Sequence, residues 1–248
     1  GTGAVTLNGN LTLGGAGTRT LSSTSGIVTL GATTSNTVTG NATNLSISSG
    51  SAITTINSAL SDIGTLGLGT TSQSGAITLN SAITAASLTT AAGAYNVVLN
   101  TGSNGTSVIG TLGSNSYSLV FNNTGTLTIN DQAGDTFKVL GSLTVSSPSS
   151  LSLAGTILTA NAITLGSNVI LSANTSIDST SDTAGVSGST GANITISGSV
   201  TNASGVAPTL TLNAGQGNIL ISGNVGGTGT STYSFTSRAQ SWQEAQDE

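Results

Sequence analysis

Short alternations of apolar and polar residues run through almost the whole chain, from Gly1 to Ser237. Gly, Ser, Thr, Asn and Ala separate them, and typical examples are AVTL, LSIS and ITIS at residues 4–7, 45–48 and 194–197. A period of two residues is typical of a β-strand that buries one of its faces. Because no helical pattern lies between these strands, the sequence predicts an all-β protein.

Two all-β architectures contain many short strands: the sandwich or barrel, and the solenoid. The solenoid is favoured because Pro is nearly absent, at Pro148 and Pro208 only, and because Asn104-Gly105 is the one strong hairpin dipeptide. The inward residues are mostly Leu, Ile, Val and Ala, which fits a narrow core. The outward Thr, Ser and Asn residues stack well on like residues in successive parallel strands.

We therefore predict that residues 1–237 form a single β-solenoid, a parallel β-helix in the shape of an elongated rod. At about 20 residues per turn, it would have about a dozen turns and a length of about 55 Å. Each buried aliphatic side chain would contribute about 1.5–3 kcal/mol, so we expect the stability to be spread evenly, with no single decisive side chain.

Some stretches depart from the strand pattern. Three Gly-rich stretches are predicted to be loops or insertions, at residues 61–74, 101–116 and 178–191. Residues 238–248 change abruptly in character, contain the only Trp, and include two spacings typical of helix N-termini. We predict a polar tail with three alternatives: a helical cap, a linker to a following module, or a frayed end.

The composition excludes several classes of protein. Charged residues make up 4% of the chain and aromatic residues 3%, but abundant, regularly placed Val, Ile and Thr argue against disorder. With three basic residues and a net charge of −5, a groove that follows nucleic-acid phosphates is excluded. Cys and Met are absent and there is no His, so disulfides and the usual zinc, copper and haem ligand sets are excluded, and we expect no cofactor.

The chain also lacks the signals that direct a protein into or across a membrane. No apolar run approaches the roughly 18 residues that cross a bilayer, so we expect no membrane span. The chain begins directly with a strand pattern rather than with a secretion signal. We therefore expect it to be an internal segment of a longer protein.

The passage LTLNAGQGNILISGNVGG at residues 210–227 is the most distinctive, and GSLTVSS (141–147) and GANITISGSV (191–200) have the same character. They resemble the repeats of filamentous-haemagglutinin-like large exoproteins and autotransporter adhesin passengers. The resemblance implies a right-handed parallel β-helix, export to the bacterial surface or the extracellular space, and a role in attachment. The Asn-Pro motifs of that family's secretion domain are absent, so we expect this chain to be a different segment of such a protein, without its membrane barrel. The family has no common catalytic set, so no residue is assigned a role from it.

Two pairs of acidic residues are the only candidates for chemistry. Asp131 and Asp135, and Asp178 and Asp182, are each four residues apart in turn-like sequence. Glycoside hydrolysis needs two positioned carboxylates, but neither pair has a neighbouring cluster of basic residues, although Lys138 follows the first pair. We therefore predict no enzyme activity and expect these residues to be solvated turn aspartates. The four are weak candidates for a calcium site, but no EF-hand or nonapeptide spacing is present, so no metal site is assigned.

Two further patterns in the sequence carry no functional assignment. Thr-rich outward faces suggest ice binding, but the outward residues mix Thr, Ser and Asn, which argues against it. Asn-x-Ser/Thr sequons are expected to arise by chance in such a composition; they begin at Asn10, Asn41, Asn44, Asn104, Asn122, Asn174, Asn193 and Asn202.

The sequence favours a non-enzymatic stalk or adhesive segment of a large secreted bacterial surface protein. Its expected partners are glycans, a host or neighbouring cell surface, or other copies of itself, joined end to end or side by side. The alternative is a self-assembling extracellular filament, sheath or surface-layer component. A third interpretation is a polysaccharide-processing β-helix enzyme, for which Asp131, Asp135, Asp178 and Asp182 would be the residues to test.

Overall fold

A computed structural model describes residues 1–111, 113–114, 116–181, 190–227 and 232–237. The predicted all-β parallel solenoid is confirmed: every pairing between described strands is parallel, and no helix occurs in these ranges. The chain winds through about nine turns, and each turn, or rung, contributes to three faces. The right-handed winding that the resemblance implies remains a prediction.

Twenty-four strands build these rungs. The first four rungs contain β1 (Val5–Leu7), β2 (Leu11–Thr12), β3 (Thr18–Ser22), β4 (Val28–Leu30), β5 (Thr37–Thr39), β6 (Asn44–Ser48), β7 (Thr54–Ile56), β8 (Ala59–Leu68), β9 (Ile77–Leu79) and β10 (Ile83–Thr90). Rungs five to seven contain β11 (Val97–Leu99), β12 (Thr106–Ile109), β13 (Tyr117–Phe121), β14 (Thr126–Ile129), β15 (Thr136–Val139), β16 (Gly141–Val145), β17 (Ser150–Thr159) and β18 (Ile163–Leu165). The remaining strands are β19 (Val169–Asp178), β20 (Ile194–Ile196), β21 (Val200–Asn202), β22 (Thr209–Gly215), β23 (Ile219–Ile221) and β24 (Thr232–Ser237).

The first face is the most regular, because one strand of each rung pairs with its counterpart in the next. The rungs differ in length, from 18 residues between Leu151 and Val169 to 31 residues between Val169 and Val200. The in-register inward residues are Val5, Val28, Thr54, Ile77, Val97, Leu127, Leu151, Val169 and Val200. At about 4.8 Å per rung, nine turns span about 40 Å, so the predicted dozen turns was too many.

The second face runs through β2, β5, β12, β15, β22 and β24, joined by parts of the long strands β8, β10, β17 and β19. The third face contains β3, β6 and the ends of β8 and β10, followed by β13, β16, β18, β20 and β23. Two of the long strands turn from one face to the next at a residue with positive φ, Asp62 (φ 52°) in β8 and Gly155 (φ 64°) in β17. A left-handed residue bends the backbone without ending the ladder.

Two predicted loops are partly wrong. Residues 61–68 belong to β8, and residues 106–109 form β12. The prediction for β8 was wrong because its Gly residues were interpreted as loop signals. A Cβ at Gly64 would lie 2.4 Å from the carbonyl oxygen of Ala42 in the preceding rung. Gly64 is therefore required by close packing between rungs and does not mark a loop. The third predicted loop begins at Asp178, the last residue of β19, and residues 182–189 lie outside the described residues.

The core is a continuous column of Leu, Ile and Val side chains from all three faces. Its largest fully buried side chains are Tyr95, Phe121 and Phe137. Buried polar side chains fill the corner between the third and first faces. The side chain of Gln73, for example, accepts hydrogen bonds from the Ser49 and Gly50 amides (3.0 Å each) and donates to the Gly75 carbonyl (2.8 Å).

Candidate functional site

The first acidic pair lies at the corner between the first and second faces of the sixth rung, in the loop formed by residues 130–135. Asp135 has no exposed surface. Its Oδ2 accepts hydrogen bonds from the amides of Asp131 (3.4 Å) and Gln132 (3.2 Å). The prediction of a solvated turn aspartate is therefore wrong for Asp135, because the side chain folds back over its own loop.

The same cap occurs earlier in the chain with an uncharged residue. Asn36 also precedes a strand of the second face, and its Oδ1 accepts hydrogen bonds from the amides of Ala32 (3.0 Å) and Thr33 (3.1 Å). An amide oxygen therefore suffices to close this kind of loop. The charge on Asp135 is not needed for capping.

Asp131 is exposed at the start of the loop, and its carboxyl lies close enough to that of Asp135 for the two groups to interact. Partial burial raises the pKa of Asp131, and the hydrogen bond and the negative charge of Asp135 raise it further. Two carboxyl groups in contact disfavour ionisation of both. Asp131 therefore binds a proton more readily than an isolated carboxyl group does.

Further oxygens with unused lone pairs lie at the same corner. Leu99 pairs with Ile129, so Asn100 and Thr101, which follow it in the fifth rung, lie at the same corner as Asn130 and Asp131 of the sixth. The buried oxygens without a hydrogen-bond partner here are Asn100 Oδ1, Thr101 Oγ1, Asn130 Oδ1 and Asp135 Oδ1. Buried polar atoms are rarely left unpaired, so this concentration indicates a missing ligand.

The second acidic pair is only half described. Asp178 is 9% exposed at the end of β19. Its Oδ1 accepts hydrogen bonds from the amide (2.7 Å) and hydroxyl (2.6 Å) of Thr180, and its Oδ2 accepts one from Asn213 Nδ2 (3.1 Å). Asp182 lies outside the described residues. Asp178 is therefore not a solvated turn residue either, and its hydrogen bonds tie the eighth rung to the ninth.

The structure does not bring Asp178 into one site with the first pair. On the second face, Lys138 pairs with Leu158, and Leu158 pairs with Asp178, so Asp178 lies two rungs beyond the sixth. Within the described part of the chain, no three His, Cys, Asp or Glu side chains come together as a metal site. Any metal site in that part therefore also requires amide, hydroxyl or main-chain oxygens.

Sequence reasoning missed an ordered surface on the first face. The middle residue of each short strand points outward, and the in-register pairs stack these residues in one column: Thr6, Thr29, Thr55, Thr78, Val98, Thr128, Ser152, Ile170 and Thr201. Two large apolar side chains lie beside it, Ile27 (52% exposed) and Ile53 (53% exposed). The sequence signal for this column is a repeated triplet in which Thr lies between two apolar residues. The triplets recur at unequal intervals because the rungs differ in length, so the sequence alone does not show that they align.

Several sequon asparagines have a structural role. Asn10, Asn44, Asn174 and Asn193 lie at the starts of strands or at a bend within one. The Oδ1 of each accepts a hydrogen bond from the in-register amide of the next rung, at distances of 2.8–3.0 Å. Asn96 and Asn168 do the same without belonging to a sequon. These sequons therefore reflect an Asn cap followed by an inward residue and an outward Ser or Thr, rather than chance alone.

Comparisons with protein-family models, with curated proteins and with solved structures found no match for this chain. Among the described residues there is no helix of the length and apolarity that a membrane crossing requires. The inference about function therefore depends on the geometry of the solenoid itself.

Proposed function

We propose that this chain is a non-enzymatic stalk segment of a large secreted bacterial surface protein, and that it projects adhesive parts away from the cell. The observation that supports this best is the uninterrupted stacking of the first face through nine rungs of unequal length. Differences in rung length are absorbed at the corners, so the axis keeps a constant rise per rung. Such an object provides reach and stiffness without a specialised site.

The burial of the acidic residues favours a stalk over an enzyme. A glycosidase must bring both carboxyl groups to the sugar. Asp135 has no exposed surface, and Asp178 is occupied by hydrogen bonds from Thr180 and Asn213. A panel of polysaccharides tests this point: the stalk proposal expects no hydrolysis or β-elimination products, and turnover that Asp131→Asn abolishes would overturn it.

The stiffness that a stalk requires can be measured with pairs of spin labels. The chain has no Cys, so each introduced Cys is labelled uniquely. Thr6, Thr128 and Thr201 share the outward column of the first face. Five rung spacings separate the first two and eight separate the outer two, so we expect backbone distances of about 24 Å and about 38 Å.

The width of the measured distributions decides the outcome. A stiff stalk gives narrow distributions whose means increase by about 4.8 Å per rung. Broad distributions, or a mean for the Thr6 and Thr201 pair that falls well short of the expected value, would show a flexible chain and contradict the proposal. The Thr6 and Thr128 pair is the internal control, because it covers only the first six rungs.

A second candidate is lateral self-association, and the exposed Ile27 and Ile53 favour it. They neighbour each other in successive rungs, next to the Thr column, on a face without a charged residue in its outward column. Exposed adjacent aliphatic side chains promote association in water. Sedimentation as a function of concentration tests this: Ile27→Thr with Ile53→Thr should abolish association, whereas Val120→Thr on the third face should not.

A further inference from the structure

The corner between the fifth and sixth rungs carries more unused oxygen lone pairs than its fold explains. Four buried oxygens there lack a partner, and two of the residues that carry them, Asn130 and Asp135, have no exposed surface at all. Leaving a buried polar group unpaired is costly, because the group gives up its hydrogen bonds to water and receives none in return. A set of such atoms at one corner therefore indicates a ligand that the protein itself does not provide.

The hydrogen bonds of these groups show which oxygen atoms remain for a ligand. The Nδ2 of Asn130 donates to the carbonyls of Ala154 (3.1 Å) and Thr156 (3.4 Å) in the seventh rung. Its Oδ1, on the other branch of the same amide group, is left without a partner. Asp135 uses Oδ2 for its loop amides, which leaves Oδ1 free.

The ligand must be positively charged rather than a water molecule alone. Asp135 has no exposed surface, its carboxyl accepts hydrogen bonds from loop amides, and no Lys or Arg in the described part of the chain forms an ion pair with it. A water molecule would satisfy lone pairs but would leave a buried negative charge uncompensated, which is costly. A bound cation satisfies both requirements.

We propose that this corner binds one Ca²⁺ ion, held by the carboxylates of Asp131 and Asp135, the side-chain oxygen of Asn130 and the hydroxyl of Thr101. Carboxylate, amide and hydroxyl oxygens are the hard ligands that Ca²⁺ takes in sets of six to eight. Because the side chain of Asp131 is exposed, water completes the coordination and the ion enters from solvent. Mg²⁺ requires near-ideal octahedral geometry and gives up its waters reluctantly, so this irregular corner favours Ca²⁺.

The ion would tie two rungs together. Thr101 belongs to the fifth rung, whereas Asn130, Asp131 and Asp135 belong to the sixth. Calcium would therefore add a link between these two rungs to the backbone hydrogen bonds that already join them. This proposal does not depend on the stalk function, because it concerns a binding site that any solenoid with this corner would have.

The test uses chelator-treated protein and variants that each remove one negative charge. Asp135→Asn keeps an acceptor for the loop amides, as Asn36 does in the equivalent loop, so it is expected to fold. Asp131→Asn changes the exposed ligand. Asp62→Asn is the matched control, because Asp62 is exposed in β8 on the third rung, far from the corner.

Calorimetric titration with CaCl₂ should show one site in the wild type and in Asp62→Asn, together with a rise in Tm. In Asp135→Asn and Asp131→Asn the affinity of that site should fall about tenfold or more, and the rise in Tm should disappear. Circular dichroism in the presence of chelator shows whether each variant is folded. If Asp135→Asn does not fold, the Ca²⁺ titration of Asp131→Asn alone decides the outcome. A wild type that does not bind Ca²⁺, variants that bind like the wild type, or an equal response to Mg²⁺ would overturn the proposal.

Discussion

The junction between the fourth and fifth rungs differs from the other junctions of the third face. Between β16 and β18, for example, backbone pairs such as Leu143 with Ile163 form an ordinary ladder. Between β10 and β13 no such ladder forms, and β13 begins a separate five-stranded sheet. Side chains take the place of the missing backbone hydrogen bonds.

The hydroxyl of Tyr117 accepts a hydrogen bond from the Leu88 amide (2.9 Å) and donates one to the Leu88 carbonyl (2.8 Å). Asn122 adds two contacts, from its amide to Thr90 Oγ1 (2.7 Å) and from its Nδ2 to the Thr90 carbonyl (3.2 Å). The rod therefore remains continuous where one of its three faces is interrupted. Stability is distributed over backbone pairs elsewhere, but here it depends on a few side chains.

Tyr95 lies at the corner next to this junction, where its side chain packs back onto the third and fourth rungs. Its ring is fully buried, and its hydroxyl lies 2.9 Å from the Leu68 carbonyl oxygen and 2.8 Å from that of Ala91. Gly69, with φ of 78°, makes room for the ring, because a Cβ there would lie 2.7 Å from it. The expectation that no single side chain is decisive therefore applies to the regular rungs and is expected to fail at this junction.

The largest expected effect comes from removing the Tyr95 ring. Tyr95→Ala should lower the free energy of unfolding by about 3–5 kcal/mol, because it leaves a cavity in a close-packed core. Chemical denaturation measures it, and Phe137→Ala is the control, a buried aromatic truncated within the regular ladder of β15. If Tyr95→Ala cost clearly less than Phe137→Ala, the junction would not be a special point of stability.

Alkaline pH tests the same side chain without a cavity. Burial raises the pKa of Tyr95 from 10.0 to about 12. Below pH 10 the phenol is neutral in both states; between pH 10 and 12 it ionises in the unfolded chain but not in the folded one. Each pKa unit corresponds to about 1.4 kcal/mol, so the free energy of unfolding should fall by up to about 2–3 kcal/mol across that range. Denaturation at several pH values measures this, and Tyr95→Phe should reduce the slope; an unchanged slope would contradict it.

Tyr117→Phe removes only the hydroxyl that links β13 to β10 across the gap in the third face. It leaves the amide and the carbonyl of Leu88 without partners, and we expect a loss of about 1–3 kcal/mol in the free energy of unfolding. Ser118→Ala in the same strand is exposed and should change it by less than about 0.5 kcal/mol. Equal effects of the two substitutions would show that the hydroxyl bridge contributes nothing.

The regular rungs could be predicted from the sequence because their information is local. Triplets such as VTL at residues 28–30 show alternation directly, and their parallel stacking follows from the absence of hairpin signals and helices. The number of turns could not be predicted well, because rung length varies and the sequence does not mark where a turn closes. The β8 strand was missed because its glycines serve contacts with another rung rather than a loop.

The candidate calcium site was predicted only in part. The sequence identified Asp131 and Asp135 as a pair, but it indicated solvent exposure because the residues around them are typical of turns. Burial of Asp135 results from the fold-back of its side chain, and Asn130 and Thr101 join the corner through pairing between rungs. The junction at Tyr117 was not predicted because it depends on contact with Leu88, 29 residues earlier.

The smallest expected effect separates two neighbouring residues of β10. Thr90 is buried and its Oγ1 accepts the Asn122 amide, whereas Thr89 is exposed. Thr90→Val keeps the shape but leaves that amide unpaired, so the free energy of unfolding should fall by about 1–2 kcal/mol. Thr89→Val should stay within about 0.5 kcal/mol of the wild type. The two substitutions are identical and adjacent, so comparing them by chemical denaturation separates the loss of the side-chain hydrogen bond from any change in strand propensity. Equal changes in the free energy of unfolding would mean that the core alone holds the third face together across this gap.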